Sequence, residues 1–374
     1  MKINERTLTL LATTLWLVIA GCAESESATS PGFDVSISTT PVTVTLAPTS
    51  TSTTMPTLVK APLAGLIDRA GIPTDELAGP IAGFVVDVAW RDLQDKRGGA
   101  IGSNNAIDVA IEEVRALNSR TGQHLRIKLR VRAGIDAPDW AKELGGSPIV
   151  VSDAQDKIGG TIGEFWIDEF GTAYAELQTK LAERYDEVVE IADVAITRCT
   201  TVYAEPFIRN IAEPETVSQL ISHGFDADGD LACLFDQIDA HLAWEETRSS
   251  LALNPYQAIA SSGVTSVDPS TTSRVMDYCR FVLRERCVLG NNSIRWPPLS
   301  GRMEDMYAEI ESFGAPITYQ TAAPARVGDL AATVEWAIER GACSVELPVG
   351  YESDLTPDQL MNFTDSLSMN PGCR

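Results

Sequence analysis

What most constrains the fold of this chain is an alternation that begins near residue 81 and runs almost to its end. Short runs rich in β-branched and apolar residues recur at 81–90, 125–133, 194–196, 249–254, 287–290, 315–321 and 342–348. Between them lie longer segments with apolar residues at helical spacing. Asn104 or Asn105 is placed to cap the first, whose Ile107, Val109, Ala110, Ile111, Val114 and Leu117 cover one side. Others follow at 168–186, 231–244, 271–286, 303–313 and 330–340, the last two closed by Gly314 and Gly341. Strands that are apolar along their length and separated by helices belong to a parallel sheet buried on both faces. No Gly-x-Gly-x-x-Gly turn follows any strand, and polar residues recur at strand exits. The pattern therefore predicts an α/β chain closed as a (β/α)8 TIM barrel rather than an open doubly wound sheet. Seven strands are clear, so the eighth is expected to be short or irregular and to precede Ile81; residues 62–78 read as a short helical or irregular lead-in. Residues 145–163 read as an insertion with a short edge strand at 148–151.

The N-terminus is a different kind of sequence. Lys2 and Arg6 precede an apolar segment at 8–20, which closes on Ile19-Ala20-Gly21-Cys22. This resembles the lipobox of bacterial lipoproteins. The resemblance implies a signal peptide at 1–21 that is removed, a lipid on Cys22, and a protein held at the outer, extracytoplasmic face of the cell membrane. Residues 22–60 are dominated by Ser, Thr and Pro and cannot bury enough apolar surface to offset their ordering entropy, so they read as a disordered tether. The barrel is assigned to 61–374.

A net charge of −23 disfavours polyanions, and nucleic acid is excluded as a partner on that ground. Six cysteines remain besides Cys22. No Cys-x-x-Cys or His-rich spacing argues for zinc, so neither a metal nor another cofactor is expected. An even count in an exported chain points to disulfides, with fifteen connectivities open. Proximity in sequence favours Cys199 with Cys233, Cys279 with Cys287, and Cys343 with Cys373; buried free thiols are the alternative.

The stretch richest in chemistry runs from Asp193 to Arg209. It reads as a strand, Val194-Ala195-Ile196, climbing through Arg198 and Tyr203 to Ala204-Glu205-Pro206. The proline biases Glu205 toward an extended conformation, so that its carboxyl is aimed at the barrel mouth. Together with Trp90-Arg91-Asp92-Leu93 after an early strand and the Leu-Ala-Glu-Arg-Tyr ending of the helix at 174–185, this makes the chain similar to glycoside hydrolase barrels of clan A. The resemblance implies that Glu205 is the acid/base of the strand-four motif, with Ala204 where that clan has an asparagine. It places Gln320 at the strand-seven position of the clan's nucleophilic glutamate. A neutral amide cannot attack an anomeric carbon as a carboxylate does, and Glu346, just upstream of Pro348 in the last strand, is the substitute. The alternative for Glu346 is a buried glutamate paired with an arginine such as Arg295 or Arg130.

A barrel of this kind brings further residues to one mouth. Trp90, Trp140, Trp166 and Trp296 lie near strand exits, where an indole can stack on a sugar ring. Tyr203, Asn254, Tyr256, Asn291, Asn292, Arg295 and Gln320 supply the donors and acceptors that a polyhydroxylated ligand needs. His241 falls within a helix and is expected to be structural. Two functions follow: a lipid-anchored glycosidase using Glu205 and Glu346, or a catalytically inactive barrel that acts as a carbohydrate-binding or cell-envelope lipoprotein.

Overall fold

Eight parallel strands close into a barrel in the computed structural model, which describes residues 58–374. In chain order they are β1 (Gly65–Asp68), β2 (Ile81–Ala89), β3 (Arg126–Arg132), β4 (Ile191–Ala195), β5 (Arg248–Ala252), β6 (Cys287–Ile294), β7 (Ile317–Thr321) and β8 (Ser344–Leu347). Each pairs with its sequence neighbours, and β1 pairs with β8 to complete the ring. The eighth strand anticipated before Ile81 is β1, four residues long. The signal segment, Cys22 and the tether up to residue 57 lie outside the described residues.

Helices cover the outside. The first, Ala106–Thr121, is capped by Asn105 rather than Asn104: the Asn105 side chain accepts from the Ile107 and Asp108 amides, Asp108 reciprocates, and Gly122 ends the helix at a φ of 71°. Helices Asp168–Tyr185, Ala227–Ala240, Pro269–Leu283, Arg302–Ser312 and Leu330–Glu339 occupy the later crossovers. No helix joins β1 to β2. That flank is covered by a C-terminal helix that the strand-helix alternation did not anticipate, Pro357–Met369, whose Thr364 hydroxyl accepts from the Leu66 amide at 3.1 Å. Two antiparallel hairpins decorate the barrel: Ile149–Asp153 with Ile158–Ile162 in the expected insertion, and Tyr256–Ile259 with Thr265–Asp268.

The three disulfides have the pairing that sequence proximity favours. Cys199–Cys233 ties the segment after β4 to the Ala227–Ala240 helix, Cys279–Cys287 ties a helix to the start of β6, and Cys343–Cys373 ties the entry of β8 to the C-terminal tail. The N-terminal end of the barrel is closed by Lys60. Its ammonium donates to the carbonyls of Val188 at 2.8 Å and Ile191 at 2.9 Å and to the Thr247 hydroxyl at 2.9 Å.

The barrel interior inverts the usual pattern of an amphipathic strand. On β3, Ile127, Leu129 and Val131 join the hydrophobic core shared with the helices, while Lys128 and Arg130 on the alternate face are also buried. Two buried carboxylates meet them: Glu346 of β8 and Asp193 of β4, the latter accepting from the Ser250 hydroxyl at 2.6 Å. The charged face of β3 points inward because its counter-charges are there.

Candidate ligand site at the barrel mouth

Glu346 is the floor of the site. It is fully buried, and its carboxylate receives Lys128 at 2.9 Å and two contacts from one Arg130 nitrogen at 2.7 and 2.9 Å. Burial opposes ionisation, but the Arg130 and Lys128 charges outweigh it and hold the carboxyl down at about 2. Of the two expectations for this residue, the geometry matches the buried, arginine-paired glutamate, with Arg130 as the partner. The same Arg130 nitrogen donates to the Gln320 amide oxygen at 3.1 Å, and Gln320 donates in turn to the Asn292 carbonyl at 3.2 Å. Gln320 lies in β7, directly opposite Glu346 in the register.

Above this floor the strand exits and their loops enclose a cavity of about 370 Å³. Arg69 enters from the exit of β1, Tyr203 and Glu205 from the segment after β4, Asn254 from the exit of β5, Asn292, Ser293 and Arg295 from β6 and its exit, and Gln320 from β7. Consecutive residues of one strand ordinarily face opposite sides. Asn292 and Ser293 both line the cavity because the β6–β7 register shifts between Asn291 and Ile294, a bulge that sets extra residues against a shorter span of β7. Close packing at the same junction requires Gly290, where a Cβ would lie 1.8 Å from the Thr318 carbonyl oxygen.

The expected strand leading into Glu205 stops ten residues short, at Ala195. A long loop follows, organised by buried polar groups rather than by a sheet. Arg209 is sealed against Asp230 at 2.6 Å, Arg198 donates to the Phe165 and Ile167 carbonyls at 3.2 Å, and the Thr201 hydroxyl donates to Asn210 at 2.6 Å. Arg198, Thr201 and Arg209 need these partners, and a continuing strand would not place them. Glu205 therefore reaches the mouth on a disulfide-pinned loop, not on a strand tip. It is partly buried and has no ion-pair partner among the described residues. Burial pushes its carboxyl up to about 7, against the pull of Arg130 and the Asn292 side chain.

A strap crosses the opening. Asp156, in the turn of the first hairpin, accepts from the Tyr203 hydroxyl at 2.7 Å and pairs with Arg326 at 3.1 Å. Arg326 belongs to the short helix Pro324–Val327 after β7, so the insertion following β3 is tied to the far side of the barrel.

The mouth thus gathers Tyr203, Glu205, Asn254, Asn292, Arg295 and Gln320 from the sequence-derived set. Others stand elsewhere. Trp90 is fully buried, edge-on to Trp140, Phe170 and Tyr174, and Trp140 packs against it with its indole donating to the Gln94 carbonyl at 3.2 Å. Neither indole lines the cavity. Trp166 packs on Phe165 and Phe225, while Trp296 is exposed. Asn291 is buried and its amide donates to the Leu253 carbonyl at 2.8 Å, so it ties β6 to the exit of β5 instead of facing the cavity. Tyr256 is buried beside Arg209 and donates to Asp230 at 2.6 Å. His241 is buried between the Tyr174 and Ser249 hydroxyls, with its pKa lowered to about 3 by burial and then by Arg286, as suits a structural residue. Sequence reasoning missed Arg69, Asp156 and Arg326. Arg69 follows a strand too short to announce itself, and the other two are paired across 170 positions.

No protein-family model matches the chain, and no curated protein matches it either. Among solved structures, the catalytic domain of β-amylase from Paenibacillus polymyxa is similar with a TM-score of 0.47 at 11% identity, covering 84% of this chain and 99% of that one. Endoglycoceramidase II from Rhodococcus sp. has a TM-score of 0.44 at 15% identity, covering 83% and 80%. A morphinone reductase mutant in complex with tetrahydroNAD has a TM-score of 0.42 at 13% identity, covering 84% and 87%. At these identities the likeness is one of fold, and it assigns no substrate to this chain.

Proposed function

We propose that the barrel mouth binds a saccharide, and that the protein is a carbohydrate-binding barrel held by a lipid on Cys22 at the outer face of the cell membrane. The observation that carries this reading is the state of Glu346. Hydrolysis by paired carboxylates needs a second carboxyl able to attack the sugar or to activate a water. Glu346 is sealed beneath Arg130 and Lys128 and held at about 2, which makes it a weak base with no exposed edge. What remains in the cavity is one unpaired carboxyl among amides, hydroxyls and arginines, a set suited to hydrogen-bonding a polyhydroxylated ligand. The lipid anchor is motivated by the Ile19-Ala20-Gly21-Cys22 sequence.

A second reading, glycoside hydrolysis with Glu205 as general acid, is favoured by one observation: a carboxyl raised to about 7 keeps a proton on about half of the molecules at neutral pH, as suits a group that donates to a leaving group. One experiment separates the two. The full-length chain is offered aryl glycosides and immobilised glycans in parallel. Retention of glycans without turnover supports binding. Turnover that falls about 10²–10⁴-fold in Glu205→Gln, most for poor leaving groups, supports hydrolysis and overturns the first reading.

A further inference from the structure

The charge inside the mouth is opposite to that of the molecule. The chain carries a net charge of −23, yet the cavity is lined by Arg69, Arg295 and Arg326 against only Glu205 and Asp156. Arg326 and Asp156 neutralise each other at 3.1 Å. Glu205, raised to about 7, is largely uncharged below that pH. Arg69 and Arg295 are left over. Neither has a carboxylate within 4.0 Å among the described residues, and each spends a single N–H on the protein: Arg69 on the Thr321 carbonyl at 3.1 Å, Arg295 on the Ser293 carbonyl at 3.3 Å. Asp68, adjacent to Arg69 in sequence, is occupied by the Ala70 amide at 2.7 Å and the Tyr351 hydroxyl at 3.0 Å. A guanidinium has five donors, so two planar cations stand in one concave site with most of their hydrogen-bonding capacity unused.

We infer that the mouth is selective for an anionic saccharide, one bearing a carboxylate or a phosphate that Arg69 and Arg295 receive while the amides of Asn254, Asn292 and Gln320 meet its hydroxyls. This rests on the saccharide reading above and narrows it. Arginine suits both groups because its fork matches two oxygens at once. The acidic surface repels such a ligand at long range, so selectivity arises at contact and not by steering.

The test uses the full-length chain against immobilised glycans of one backbone in neutral, uronate-bearing and phosphate-bearing forms, in a buffer free of both anions. At least one acidic form is retained about 10-fold or more tightly than its neutral counterpart, and the two acidic arms distinguish carboxylate from phosphate. Arg295→Gln lowers affinity for the preferred acidic form by about 10–100-fold and for the neutral form by much less, so the acidic-to-neutral ratio falls about 10-fold. Because Arg295 makes one hydrogen bond to the protein, this variant keeps its unfolding temperature; Arg69→Gln provides an independent second reading. Equal retention of neutral and acidic forms, or an acidic preference that survives both substitutions, overturns the anionic inference and leaves saccharide binding standing. Retention of no glycan, with inorganic phosphate still bound, overturns the saccharide reading itself and with it the inference.

Discussion

Glu346→Gln distinguishes a structural carboxylate from a catalytic one by its effect on stability. In the native protein Lys128 and Arg130 are both buried against this side chain, at 2.9 and 2.7 Å. An amide keeps the shape but leaves the two cations without their shared counter-charge. Breaking a buried pair in this way costs about 3–5 kcal/mol. A carboxyl brought from its usual 4.5 to about 2 by its partners gives a consistent figure, about 3 kcal/mol of folding stability at neutral pH. For a body of about 320 residues, the usual unfolding entropy converts this to a fall in Tm of about 5–8 °C. Calorimetry at pH 7 with the disulfides intact measures it. The sign with pH is fixed: because the folded pKa is depressed, the wild-type advantage is complete above about 4.5 and fades as pH falls toward about 2. Adding Lys128→Met to the variant removes one orphaned cation and recovers part of the loss. A Glu346→Gln protein that melts with the wild type and loses only an activity refutes the structural assignment and returns Glu346 to the chemistry.

The remaining expectations probe other parts of the same body. Glu205→Gln gains Tm relative to wild type as pH rises from about 4.5 to about 7 and keeps that gain above, because a carboxyl raised from its usual 4.5 to about 7 costs folding stability once the unfolded chain ionises; parallel melts at pH 4 and pH 8 check it, with the difference present at pH 8 and nearly absent at pH 4. Reduction lowers Tm, and opening the loops of 34 and 30 residues costs more than opening the loop of 8, within about 2–4 kcal/mol per bridge; peptide mapping without reductant verifies the pairing. Asp156→Ala unties the strap from Tyr203 and Arg326, so amide exchange in the 149–162 hairpin accelerates while the barrel strands keep their protection. Cys22→Ser moves the chain from the detergent phase to the aqueous phase; persistent membrane association refutes the lipid anchor.

Much of the fold is legible because the information that specifies it is local. Helical periodicity, the Asn105 cap and the closing glycines act within a few residues, and the strand-helix alternation orders the barrel without any knowledge of contacts. Disulfide pairing is readable here for a related reason: in a strand-helix chain, cysteines 8 to 34 residues apart are held on adjacent elements. Local rules fail where a side chain's role depends on what stands across the barrel. On β3 the period of two is plain, but its sense is not. Apolar-in, charge-out is the default for a strand half exposed to water, and it reverses here because Glu346 lies 216 positions from Arg130 in sequence and one bond away in space.

The same distinction explains the divided fate of the mouth residues. Asn254, Asn292, Arg295 and Gln320 sit at or just past the ends of strands, and a barrel brings such positions together whatever their identity. Trp90 is also at a strand exit, yet its indole turns down onto Phe170 and Tyr174, because a large apolar ring gains more from burial against a helix than from facing water. Glu205 is the instructive intermediate case. The Glu-Pro pair points to a carboxyl that does line the mouth, but through a strand tip that the structure does not contain. What carries Glu205 to the mouth is the loop held by Cys199–Cys233 and by Arg209 against Asp230, and neither constraint resembles a catalytic motif. A carboxyl placed by a loop depends on that loop's integrity, whereas one placed by a strand depends only on the sheet. Perturbing the Arg209–Asp230 pair should therefore disturb ligand recognition through Glu205 while the floor built on Glu346, Lys128 and Arg130 stays intact.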